Sequence, residues 1–144
     1  MMLELTQTDY EAIRAHGEET YPHECCGVFL GTASADQIQV SEIVRAGNTR
    51  LDSLHNRYNI DPGELIKIQR QARNKGLDIV GFYHSHPDHP AMWSSTDFAE
   101  AHWYGCAYSI TSVDKGKANL TNAWVLTGSS EEDKKFETIE IKRS

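Results

Sequence analysis

Residues 77–84 read LDIVGFYH, an apolar run too short for a helix and rich in β-branched and aromatic side chains. It is expected to form a central strand. Immediately before it, DPGELIKIQRQARNKG places Leu65, Ile68 and Ala72 on one helical face, with Asp61 and Pro62 opening the helix and Gly76 stopping it. Immediately after it comes SHPDHPAMWSSTDFAEA. Three of the chain's seven histidines fall within residues 84–89, and Ser94, Ser95 and Thr96 signal a new helix leading into DFAEAHW. A strand that ends in clustered histidines and turns back into a helix asks for a chemical explanation.

Farther out on the N-terminal side, a helix is expected from Thr8 to about Thr20, capped by Thr8 or Asp9 and ended by Pro22. CGVFLG and QIQVSEIV follow as strands joined by the turn TASAD, and AGNTRLDSLHNRYNI reads as a polar surface loop. On the C-terminal side CAYSITSV, ANLTNAWVLTG and KFETIEIKR are strands separated by the turns DKGK and SSEEDKK. The order α-β-β-α-β-α-β-β-β describes an α/β chain of the α+β mixed kind, with one mixed sheet flanked by helices. At 144 residues a single domain, 1–144, is expected.

Composition narrows the function classes. A net charge of −7 lacks the basic stripe that a nucleic-acid backbone requires. No apolar run approaches the ~20 residues needed to cross a bilayer, and the opening MMLELTQTDYEAIRAHGEE lacks the basic start and apolar centre of a secretion signal. A cytoplasmic location is expected. The three cysteines, Cys25, Cys26 and Cys106, include an adjacent pair and form no disulfide framework; they read as reduced, apolar fillers. His16, His23, His55 and His102 have no partner at metal-ligand spacing and read as surface or satisfied core residues.

His84 and His86, two apart at a strand end, project to one side and can chelate an ion. Zinc takes imidazole nitrogen readily, and a catalytic zinc keeps three protein ligands and one open position. Asp97, one turn into the next helix, offers the third ligand, and Ser94 lies three residues earlier on the same helical face. Each element also has an ordinary reading. HxH occurs on solvated strand edges, and SxxD before an apolar run is a routine capping arrangement. His89, between two prolines and off the strand, and Asp88 read as rim residues.

Taken together, His84 and His86, seven intervening residues, then Ser94 and Asp97, resemble the zinc motif of the JAMM (MPN+) metallopeptidase family. PHECCGVFLG adds an upstream glutamate, Glu24, sixty residues before His84, and RYNIDPGEL is also similar to the short prokaryotic members. The resemblance implies a JAB/MPN fold, itself similar to the cytidine-deaminase architecture. It implies one Zn²⁺ per chain on His84, His86 and Asp97, with Glu24 as general acid–base and Ser94 as oxyanion donor.

The activity so implied is hydrolysis of the amide bond after the C-terminal Gly-Gly of a ubiquitin-like or sulfur-carrier protein, by a monomer or homodimer. The tail is expected to add a strand to an exposed sheet edge, sought in the loop from Asn48 to Asn59 and around Tyr83, Met92 and Trp93. Two alternatives remain: a zinc amidase acting on small peptides or cysteine conjugates, and a catalytically inactive MPN scaffold. A zinc deaminase is disfavoured, since HSH is not HxE and no PCxxC occurs.

Overall fold

The computed structural model describes residues 1–47 and 59–144. Among these, seven strands and three helices follow in the order β1 (Met2–Leu5), α1 (Gln7–Thr20), β2 (Cys26–Ala33), β3 (Gln37–Ala46), α2 (Pro62–Asn74), β4 (Asp78–Pro87), α3 (Ser95–Ala99), β5 (Ala107–Asp114), β6 (Lys117–Thr127) and β7 (Lys135–Arg143). The expected strand at 77–84 is β4, and it runs on through the histidines to Pro87. It lies between antiparallel β2 and parallel β5, buried along almost its whole length.

Helices cover both faces of β4, which explains its continuous apolar character. On one face, α1 sets Ile13 into a core with Leu3, Leu5, Phe29, Ile38 and Tyr83. On the other, Ile68 and Ala72 of α2 pack with Val28, Leu30, Ile79 and Phe82. Local chemistry starts the helices: Thr6 Oγ1 accepts from the Asp9 N–H at α1, and Asp61 Oδ2 accepts from the Glu64 N–H at α2, with Pro62 in the first turn. The cap of α1 is thus Thr6, two or three residues before the expected Thr8 or Asp9.

The sheet is mixed, as expected, but it closes. Strand order is β1-β3-β2-β4-β5-β6-β7, and β1 joins the two ends by pairing parallel with both β3 and β7. From Gly81 to His84 strand β4 is paired on both sides, by β2 and by β5, so that stretch offers a substrate tail no free edge. The loop from Asn48 to Asn59, expected to offer a docking edge, lies outside the described residues except for Asn59.

Tyr83 departs from its expected place beside the site. Successive strand residues face opposite ways, so while His84 faces α2 and α3, Tyr83 is buried on the α1 side, its hydroxyl 2.9 Å from His16 Nδ1. Gly27 lies opposite Tyr83 in the β2–β4 register, and a Cβ there would come within 2.2 Å of the tyrosine ring. His16 is therefore a satisfied core histidine, and burial, then nearby Arg45, hold its pKa down to about 4. The three cysteines are buried and unbridged, and burial pushes Cys25 up to about 11 and Cys106 up to about 12.

Candidate metal centre

Phe82, His84 and His86 alternate along one face of β4. The first is core, and the next two reach the end of the strand, where α3 crosses. That helix spans only five residues, shorter than the DFAEAHW run suggested, and it is fastened at its start by a reciprocal capping box. Ser94 Oγ accepts from the Asp97 N–H at 3.0 Å, and the Ser94 N–H donates to Asp97 Oδ2 at 2.9 Å. The ordinary reading of SxxD is thus realised, and it coexists with another use of the same carboxylate.

Asp97 Oδ1 lies 3.2 Å from His84 Nε2, and Oδ2 lies 3.1 Å from His86 Nε2. The two Nε2 atoms are 3.2 Å apart. These side chains are 3–7 % exposed, so the triangle is almost sealed from solvent. Its spacings fit a metal: a tetrahedral ion with ligands about 2.0 Å away has edges of ~3.3 Å. The three side chains form the group of described residues best placed to hold an ion.

Protonation agrees with that use. His86 Nδ1 lies 2.9 Å from the Pro90 carbonyl, so the neutral ring donates there and turns its Nε2 lone pair toward Asp97. Burial holds the His84 imidazole below its usual range, with Asp97 offsetting this in part. For Asp97 burial acts upward, yet the His84 and His86 rings beside it and the hydrogen bond from the Ser94 N–H leave the carboxyl well below the usual carboxylate range. Two imidazoles and a carboxylate are a donor set suited to a cation.

Glu24 joins the same face. Cys26 pairs with His84, and the Ser85 N–H donates to the Cys25 carbonyl, so the register carried one step further brings Glu24 opposite His86. It is 1 % exposed, and burial, then the Asp97 and Glu100 carboxylates, push its pKa up to about 9. Ser94, half-buried, opens onto a cleft of about 280 Å³ lined also by His86, His89, Pro90, Met92 and Trp93. His89 is exposed at its rim, outside the triangle. Asp88 is occupied elsewhere, accepting from the Tyr21 hydroxyl and the Lys115 N–H.

Comparison with known proteins shows the family. Residues 6–127 match the family described as prokaryotic homologs of the JAB domain. The chain belongs to this family. Among prokaryotic JAB relatives it is 34 % identical over 118 residues to a desampylase of Haloferax volcanii, covering 78 % of this chain and 81 % of that one. A probable TtuB-protein conjugate cleaving protease of Thermus thermophilus is 32 % identical over 110 residues, 76 % of this chain and 70 % of that one. A solution structure of a Desulfitobacterium hafniense protein superposes with a TM-score of 0.78 at 26 % identity, covering 100 % of this chain and 94 % of that one. The JAB resemblance drawn from the motif therefore holds for the chain as a whole.

Two features of this candidate centre lay outside the sequence reading. The Pro90 carbonyl that fixes the His86 tautomer is a backbone atom, signalled only by the four-residue spacing. Lys134, whose ammonium group lies under the end of α3, comes from a segment that reads as a polar turn.

Proposed function

We propose that the chain is a single-domain zinc metallopeptidase that hydrolyses the amide bond after the C-terminal Gly-Gly of a ubiquitin-like or sulfur-carrier protein. The observation that carries this reading is the triangle of His84 Nε2, His86 Nε2 and the Asp97 carboxylate, with spacings of 3.1–3.2 Å, beside buried Glu24. The relatives named for conjugate cleavage and desampylation give the substrate class. An inactive scaffold would have no use for an intact donor set of this kind.

In this reading His84, His86 and Asp97 hold one zinc per chain, and Glu24 and Ser94 act on the substrate. When bound, the metal supplies Lewis-acid polarisation and acidifies water toward neutrality. Glu24 accepts a proton from the attacking water and returns it to the departing amine. Its raised pKa in the metal-free protein makes it a ready proton carrier once a nearby cation draws the value down. Ser94 Oγ accepts from the helix through a lone pair, which leaves its own proton to donate to the oxyanion. Pro90 keeps the His86 ring from turning.

Glycine before the scissile carbonyl suits an entrance walled by Met92 and Trp93, where a backbone without Cβ can approach closely. The buried, unbridged thiols agree with a cytoplasmic location, and a monomer or homodimer is expected. The test is cleavage of matched carrier fusions ending Gly-Gly or Ala-Ala before the same leaving group, followed by product mass. Gly-Gly is expected to be cleaved at least ~10-fold faster. Equal rates would favour a small-peptide or cysteine-conjugate amidase, and absence of zinc from the purified protein with no uptake on addition would sink the enzyme reading.

A further inference from the structure

A five-residue helix cannot hold a carboxylate in place by its own hydrogen bonds, because so short a segment barely repays its nucleation. The start of α3 is fixed by the Ser94–Asp97 capping box; its end is fixed from a distant loop. Lys134 is only 9 % exposed. Its Nζ donates to the carbonyls of Phe98 at 2.8 Å, Ala101 at 3.1 Å and Ala99 at 3.4 Å, and it lies 4.8 Å from the centre of the Phe98 ring. An ammonium group has three protons, and here they are shared among these three carbonyls, at the end of α3 and just beyond it, and the Glu131 carboxylate at 3.0 Å.

The loop that delivers Lys134 is itself locked. Asp133 accepts from the N–H and hydroxyl groups of both Ser129 and Ser130. Gly128, at φ +104°, lets the backbone fold so closely that a Cβ there would lie 2.8 Å from the Asp133 carbonyl oxygen and the Lys134 Cα. Glu131 then ties the loop to the segment after α3, accepting from the Tyr104 hydroxyl and pairing with His102 and Lys134.

We infer that Lys134 is a positioning residue for the metal centre: by holding the end of α3 it sets where Asp97 and Ser94 stand relative to His84 and His86. This inference rests on the zinc reading above, and it extends the site to the β6–β7 loop. A lysine that merely fills space would be replaceable by a side chain of similar length. One that sets the carboxylate would not.

The experiment measures zinc affinity by chelator competition, alongside thermal unfolding of the metal-free protein and steady-state kinetics on a Gly-Gly fusion. Lys134→Met keeps the stem against Phe98 and removes the donors. It is expected to weaken zinc binding about tenfold or more, as loss of a group supporting a ligand does, and to lower kcat with KM within about twofold. Asp133→Ala, which loosens the loop and leaves Lys134 present, is expected to show the same effects more weakly, and it carries the test if Lys134→Met fails to fold. Ile139→Val, in the core on the α1 side, is the control, with a lowered Tm and unchanged zinc affinity. Wild-type zinc affinity and kcat in a folded Lys134→Met or, failing that, in Asp133→Ala would overturn the inference and leave the zinc reading standing. No zinc binding by the wild-type protein would instead remove the zinc reading itself.

Discussion

Ser94 and Asp97 cap each other, and the carboxylate that accepts the Ser94 N–H at 2.9 Å is the one that faces both His84 and His86. Helix start and proposed ligand are one structure. Asp97→Asn keeps an acceptor for the cap but loses the charge, whereas Asp97→Ala loses both. Both variants are expected to lose zinc, with the alanine variant about 1 kcal/mol less stable than the asparagine one when metal-free. His89→Ala, altered at the exposed rim, keeps its zinc. Elemental analysis and unfolding curves decide the point, and zinc retained in Asp97→Asn would remove Asp97 from the ligand set.

Glu24→Gln is nearly isosteric, so it should fold and bind zinc as the wild type does. Without a proton acceptor its kcat is expected to fall about 10²–10⁴-fold. Single-turnover cleavage of a Gly-Gly fusion measures this, and a near-wild-type rate would place the base elsewhere.

The buried position of Glu24 also sets a pH dependence in the metal-free protein. Desolvation, then the Asp97 and Glu100 carboxylates, raise its pKa from 4.5 to about 9. A carboxyl whose folded pKa is raised contributes stability that is fully present below pH ~4.5 and is lost as pH rises through about 9. Chelator-treated wild-type protein is therefore expected to lose Tm relative to Glu24→Gln by several degrees between pH 5 and 9. Parallel curves would show that the carboxyl is solvated.

Ser94 has two tasks that substitution can separate. Ser94→Ala removes the cap acceptor and the hydroxyl, with an expected cost of about 1 kcal/mol in stability and 10²–10³-fold in kcat. Ser94→Gly restores most of the cap and none of the hydroxyl. Turnover recovered in the glycine variant would make Ser94 a capping residue alone.

What could be read beforehand follows from range. His84, His86, Ser94 and Asp97 lie within fourteen residues, and strand alternation plus one helical turn bring them together. Glu24 is distant, and the resemblance rather than any local pattern points to it. β1 escaped because MLEL is too short to show alternation and exists through its pairing with β3 and β7. Tyr83 was legible but misplaced, since the alternation that puts His84 at the site puts its neighbour on the other face. Lys134 lies thirty-seven residues from Asp97, and nothing local marks a lysine in a polar turn as the support of a distant helix.

Closure through β1 also orders events in time. Met2 pairs with Glu140 and Leu5 with Arg143, so β1 must wait for β7, more than a hundred residues later in the chain, before the barrel can shut. Until then the strand that carries Leu3 and Leu5, both buried in the finished protein, lacks its β7 flank. Pairing across so much of the chain is slow, and β1 keeps one side unpaired until it is made. Loss of residues 135–143 would leave both β1 and β6 with an open flank, turning one truncation into two sticky edges.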